Sequence, residues 1–225
     1  LKGKTALVTG SGQGIGRATA ILLAKQGAKV IINWNSNDAK ATATMAAVEA
    51  VGGEYLPWKY NISSATVRQD FEDFMQKNAV SVDILVLNAS VQIRNDWENI
   101  TPEEFDTQMY TNFRASLQLI QACVSGMRER HWGRIVTVGS EQQSSPNTAM
   151  AVYAATKAAQ NNLCMTLCGQ LAGDGITINN IAPGAIETVR NEAVLADPAY
   201  RKMIENSIPV GFVGQSENER LRNLA

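Results

Sequence analysis

Four glycines fall within one short stretch, Thr9-Gly10-Ser11-Gly12-Gln13-Gly14-Ile15-Gly16-Arg17, between an apolar β-rich run and a helix-period segment. That placement limits what the chain can fold into. Glycine at this density weakens the interior of a helix or strand, but it suits a tight strand-to-helix turn. Gly10 permits the turn, Gly14 lets backbone approach a pyrophosphate, and Gly16 allows close helix–sheet packing. The helix opening behind the turn offers free N–H groups and the positive end of its dipole to an anion. Ser11, Gln13, Ile15 and Arg17 occupy the positions between and after the glycines, beside the same phosphates. A glycine-rich turn is sometimes only a connection; the strand before it and the helix after it supply the context that a dinucleotide turn requires.

The rest of the chain repeats that alternation. Strands are predicted at Thr5–Thr9, Lys29–Asn33, Asp83–Asn88, Arg134–Gly139 and Thr177–Ile181, with Glu54–Tyr60 a weaker strand because Pro57 removes a ladder donor. Helices are predicted near 14–26, 37–51, 64–77, 102–130 and 150–172, the fourth opening on a capping box at Thr101-Pro102-Glu103-Glu104. Near-continuous apolar strands alternating with helices imply an α/β fold: a single doubly wound Rossmann-type parallel sheet with helices on both faces. One domain over 1–225 is expected, and functional residues should follow the carboxyl ends of strands.

Charge and cysteine content exclude several roles. Twenty basic against 21 acidic side chains give no field to draw nucleic acid or anionic lipid. The apolar runs are too short to span a bilayer, and no secretory leader is expected before the first strand. Cys123, Cys164 and Cys168, an odd number, read as reduced core thiols in a cytoplasmic protein. No metal site is expected: Cys164 and Cys168 would need more ligands, and the one histidine, His131, lies far from them in sequence.

Cofactor choice should be decided at the end of the second strand. There a carboxylate would hold the ribose 2′-OH of NAD and repel the 2′-phosphate of NADP. The chain reads Asn33-Trp34-Asn35-Ser36-Asn37, and the first carboxylate, Asp38, belongs to the helix start. Neutral donors at Asn35 and Ser36, with Arg17 across the turn, suit NADP; NAD is the alternative.

Tyr153-Ala154-Ala155-Thr156-Lys157 opens a predicted helix, placing Tyr153 and Lys157 one turn apart on one face. A free tyrosine, with a pKa of about 10, is a poor base at neutral pH. A neighbouring ammonium stabilises the phenolate, so Tyr153 becomes a candidate general acid and base for a ketone–alcohol pair. Tyr55 and Lys59 share the spacing, but Pro57 between them argues against a helix. Ser140 ends the fifth predicted strand, where its hydroxyl can bond a substrate oxygen on which charge develops. Asn112 is a polar residue inside a helical stretch, a position asparagine occupies at a cost unless its side chain has a task.

With Thr-Gly-x-x-x-Gly-x-Gly at 9–16 and Asn112, Ser140, Tyr153 and Lys157 in order, the chain resembles the short-chain dehydrogenase/reductase family from about Gly3 to Gly214. That resemblance implies an enzyme whose catalytic set is Asn, Ser, Tyr and Lys, with Lys157 also on the nicotinamide ribose and Asn112 in a proton relay. It further implies cofactor contacts at Asn61, Ile62, Asn88 and Ala89, and at Pro183, Gly184, Ile186 and Thr188 over the nicotinamide. An arginine such as Arg17 usually accompanies NADP in this family. Two departures stand out: Leu87-Asn88-Ala89-Ser90 replaces Asn-Asn-Ala-Gly, and Asn61 replaces an aspartate while keeping an acceptor.

Substrate contacts are expected at Val91-Gln92-Ile93-Arg94 and Glu141-Gln142-Gln143, with Arg94 and Gln142 as the named candidates. Such polar groups suit a small hydroxylated or anionic substrate, a sugar acid or polyol. The pattern is similar to the gluconate 5-dehydrogenase-like branch. The 3-oxoacyl-thioester reductase branch shares the turn and Arg17, and a non-catalytic dinucleotide-binding protein is a third reading. Residues 187–207 are expected to form a substrate lid. Family members are usually tetramers or dimers, which implies a homotetramer or homodimer.

Overall fold

In the computed structural model, residues 1–216 are described; residues 217–225 of the expected single domain lie outside that range. Six parallel strands form the central sheet: β1 (Thr5–Val8), β2 (Lys29–Trp34), β3 (Tyr55–Lys59), β4 (Ile84–Leu87), β5 (Gly133–Val138) and β6 (Ile176–Ile181), in the order β3-β2-β1-β4-β5-β6. β1 and β4 are neighbours in space though β2 and β3 lie between them in sequence, so their carboxyl ends form the switch point where ligands bind in such sheets. The all-apolar stretch Ile84–Leu87 is buried throughout, as a central strand covered on both faces must be.

Helices cover both faces. α1 (Gly14–Lys25) and α2 (Asp38–Ala50) pack on one side, where Ala20, Ala24 and Val48 meet Val8, Val30 and Ile32. α3 (Val67–Lys77), α5 (Ala115–Glu129) and α6 (Ala151–Leu171) cover the other, with Phe71, Leu119 and Cys164 against Leu7, Leu85 and Ile135. No helix among the described residues is long and apolar enough to cross a membrane.

The weaker strand expected at Glu54–Tyr60 forms as β3, and Pro57 sits in it because β3 is the sheet's edge. Glu54 and Tyr60 bond β2, so the alternation turns Pro57 toward the open side, where no ladder donor is needed. The helix expected over 102–130 is broken: α4 (Pro102–Met109), with its capping box formed, passes through a π-helical turn at Tyr110–Arg114 before α5. Finally, Cys168 is exposed whereas Cys123 and Cys164 are buried. The inward stripe of α6 runs through Gln160, Cys164 and Leu171, with Leu167 packed beside it, and leaves 168 outside.

Beyond β6, the short strands β7 (Ile186–Glu187) and β8 (Gly214–Gln215) pair in parallel and enclose α7 (Val189–Leu195) and α8 (Pro198–Ser207).

Candidate active site

Loops after β1, β2, β4, β5 and β6 converge on a cleft of about 470 Å³. Its floor is the glycine turn. Gly10 has φ +63°, and a Cβ there would stand 3.0 Å from Ala89 Cα; one on Gly16 would stand 2.5 Å from the Gly10 carbonyl oxygen. Asn88 Nδ2 donates to the carbonyls of Thr9 (2.9 Å) and Gly10 (3.2 Å), and Thr9 Oγ1 accepts from the N–H groups of Asn88 and Ala89. Together these clamp β1's turn to β4. On the other side the Ser11 hydroxyl is buried and accepts from Asn33 N–H at 3.0 Å, so Ser11 holds the turn against β2 and does not line the cleft. The N-terminus of α1 has no side-chain cap, leaving its N–H groups turned to the cleft beside Gln13, Gly14 and Ile15.

At the end of β2, Trp34, Asn35 and Ser36 line the cleft with no carboxylate among them. Asp38 is engaged elsewhere: Lys59 Nζ and Trp34 Nε1 each donate to it at 2.7 Å. Those two bonds, Lys59 foremost, hold its carboxyl below the usual range. Lys40, which the motif reading passed over, reaches back from α2 to donate to Gln13 Oε1 and lines the cleft. Its only sequence signal was its place in the first turn after the Asn37 cap. Arg17 opens instead onto an adjoining cavity of about 570 Å³, shared with Lys40, Glu187 and Glu192. Asn61 and Ile62 also stand off the cleft: Asn61 Oδ1 accepts from Ser63 N–H and O–H, and Ile62 is in the core.

The other end of the cleft lies after β5. Ser140, Tyr153, Pro183, Gly184, Ile186 and Thr188 line the same cleft. Ser140 Oγ accepts from the Gln142 N–H at 3.2 Å, leaving its own proton to donate. Tyr153 is buried on α6, and Lys157 Nζ stands 5.8 Å from its ring centroid. Lys157 is 1% exposed and donates to the Val138 carbonyl at 2.6 Å and to Gln160 Oε1 at 3.3 Å.

Asn112 stands behind these residues. Its side chain donates to Val91 O (2.9 Å) and Thr156 Oγ1 (3.0 Å) and accepts from Val91 N–H (2.8 Å). The π turn sets it there: Ala115 N–H reaches back to Tyr110 O, widening the helix where Asn112 points inward. Thr156, Ser116 and Gln160 complete this buried polar layer and were not singled out from sequence. Their signal was a polar residue on a stripe that amphipathic spacing assigns to the core.

Toward solvent, the cleft wall carries Arg94, Glu141, Gln142, Asn147, Asn191 and Tyr200. Gln142 Oε1 accepts from Asn147 N–H at 2.6 Å, and Glu141 N–H donates to Pro183 O at 3.0 Å, so the two loops brace each other.

The sequence matches the family described as short chain dehydrogenase over residues 4–199. It is 32% identical to 3beta-hydroxysteroid dehydrogenase 1 from Eggerthella lenta over 219 residues, 97% of this chain and 84% of that one. Among solved structures, a 3-oxoacyl (acyl-carrier-protein) reductase from Agrobacterium tumefaciens with NADP bound superposes with TM-score 0.90 at 36% identity, covering 96% of this chain and 84% of that one. A gluconate 5-dehydrogenase from Burkholderia cenocepacia, in complex with NADP and tartrate, gives TM-score 0.88 at 31% identity, covering 96% and 85%. With the Rossmann-type sheet in place and the family matched across most of its length, the chain is a member of the short-chain dehydrogenase/reductase enzymes.

Proposed function

We propose that the chain is an NADP-dependent oxidoreductase interconverting a ketone and a secondary alcohol on a small polar substrate, a sugar acid or polyol. The observation that carries this reading is one cleft holding the glycine turn at one end and Ser140 and Tyr153 at the other, with buried Lys157 beneath Tyr153.

The residues present fit a dinucleotide. The Gly10 and Gly14 backbone, the uncapped start of α1, Ala89 and Asn88 form a cradle that side chains would fill. Asn35, Ser36 and Lys40 offer donors where a carboxylate would repel a 2′-phosphate, and Thr188 stands 3.4 Å from where a Gly14 Cβ would lie, over the turn. Bound there, the nicotinamide supplies or accepts the hydride. The chain's own part is the proton. Tyr153 gives it to a ketone oxygen or takes it from an alcohol; Ser140 O–H donates to the same oxygen as charge builds on it. Lys157 is the fixed cation that favours the phenolate. Asn112 positions the Val91 loop against α6. Arg94 meets an anionic group, and Glu141 and Gln142 meet hydroxyls. The α7–α8 segment, 187–207, acts as the lid. The protein works in the cytoplasm as a homotetramer or homodimer.

A second reading, a 3-oxoacyl-thioester reductase, has its support in the 36% identity to the NADP-bound reductase. Titration with NADPH and NADH, followed by cofactor oxidation with 5-ketogluconate and with an acetoacetyl thioester, separates the readings. Tighter NADPH binding and turnover of the keto acid are expected. A clear NADH preference overturns the cofactor reading, and turnover of neither ketone overturns both substrate readings.

A further inference from the structure

Behind Lys157 runs a line of buried polar groups. Gln160 is 1% exposed; its Oε1 accepts from Lys157 Nζ at 3.3 Å and its Nε2 donates to Ser116 Oγ at 2.9 Å. Ser116 in turn donates to the Asn112 carbonyl at 3.0 Å. A glutamine in a helix–helix core costs free energy unless both ends of its amide are bonded, and here both are.

We propose that Gln160 is a positioning residue of the active site: its amide holds the Lys157 ammonium from the buried side and ties it, through Ser116, to the Asn112 turn. This rests on the oxidoreductase reading above. The residue type matters. An amide oxygen accepts from the ammonium without cancelling its charge, so the cation's field still reaches Tyr153. A carboxylate would pair with Lys157 and cancel that field; a hydrocarbon would remove one acceptor from a buried ammonium. An amide also neither gains nor loses a proton in the working pH range, so the link carries orientation and no protons.

The surroundings of Lys157 agree with that role. On α6 the Tyr153 ring stands 5.8 Å from Lys157 Nζ, and Cys164, further along the stripe, is kept protonated by burial. β5 presents the Val138 carbonyl to Lys157, and α5 presents Ser116 to Gln160; neither group ionises. Glu141, the carboxylate on the cleft wall, stands beyond Ser140 with Oε2 3.0 Å from where a Gly184 Cβ would be.

The test compares the wild type with Gln160→Leu and Gln160→Glu. Near-ultraviolet tyrosinate absorbance is followed against pH, with and without NADP, subtracting Tyr153→Phe. The pH profile of alcohol oxidation is measured in parallel. Both Gln160 variants should move the Tyr153-dependent midpoint up by about one pH unit, with kcat about tenfold lower below it and substrate KM nearly unchanged. Gln160→Glu keeps a polar partner for Ser116, and serves if Gln160→Leu fails to fold. Unmoved midpoints with only a lower melting temperature overturn the proposal. A shifted absorbance midpoint in a chain that oxidises no alcohol supports the role of Gln160 and sinks the oxidoreductase reading; turnover with an unshifted midpoint does the reverse.

Discussion

Two glycines of the same turn should respond to alanine differently, one with a loss and one with little change. Gly16 lies inside α1, where helix propensity alone predicts that Gly16→Ala stabilises by about 1 kcal/mol. Its surroundings reverse the sign. The new Cβ would sit 2.5 Å from both the Gly10 carbonyl oxygen and Asn88 Nδ2, and the first of these is backbone that cannot swing aside. Relieving the contact either displaces Gly10 or breaks the Asn88 bonds to Thr9 and Gly10. Overpacking of this kind costs ~1–3 kcal/mol and each lost bond ~1 kcal/mol, so a net loss of about 3 kcal/mol is expected. For a chain of this length that lowers the melting temperature by ~6–12 °C. NADPH affinity should fall with it, because the displaced carbonyl belongs to the phosphate-facing turn. Gly12→Ala is the control: its Cβ meets nothing closer than 3.7 Å, so both stability and affinity should hold. Thermal melts and NADPH titration of the two variants decide the matter. A neutral or stabilised Gly16→Ala, or a Gly12→Ala equally damaged, would refute the reasoning.

Three further outcomes follow from the site. Tyr153→Phe removes the proton-bearing hydroxyl and little else, so kcat should drop by ~10²–10⁴ while NADPH affinity is kept; substantial residual turnover would move the acid–base role elsewhere. Lys40→Ala should weaken NADPH binding about tenfold, less in high salt, and leave NADH unchanged; an equal loss for both cofactors would show that Lys40 does not read the 2′-phosphate. Burial pushes the thiols of Cys123 and Cys164 up and the thiolate is the reactive form, so a thiol reagent should modify only the exposed Cys168 in the native protein. Denaturant should release all three; modification of Cys123 or Cys164 in the native protein contradicts their placement.

What sequence revealed and what it hid divide along physical lines. Strand identity was legible because central parallel strands are buried on both faces and read as unbroken apolar runs, as Ile84–Leu87 does. The glycine turn was legible because its backbone demands a residue type. Topology decided the case of Pro57: a missing N–H matters only when a neighbour faces it, and nothing in Tyr55–Lys59 says which strand is the edge. The π turn at Tyr110–Arg114 was hidden because one widened turn leaves the apolar period on either side intact. Lys40 and Gln160 were hidden for a different reason. Each acts through a contact made across elements, Lys40 with Gln13 on the turn before α1, Gln160 with Ser116 on α5, and neither belongs to a short motif.

The pair Tyr55 and Lys59 shows why spacing needs surroundings before it implies chemistry. It repeats the Tyr-x-x-x-Lys pattern of Tyr153 and Lys157, but on a strand, where four residues span ~13 Å and the two side chains do not meet. Each has found a carboxylate instead: the Tyr55 hydroxyl donates to Glu49 Oε1 at 3.0 Å, and Lys59 pairs with Asp38. Glu49 pushes the Tyr55 phenol up, away from ionisation. Tyr153 has the reverse arrangement, with a buried ammonium 5.8 Å from its ring and amide and carbonyl oxygens holding that ammonium without neutralising it. A helix turns the spacing into proximity, burial keeps water from screening the charge, and uncharged acceptors preserve it. Of the two tyrosines, only Tyr153 has a lysine ammonium beside its ring and lines the cleft.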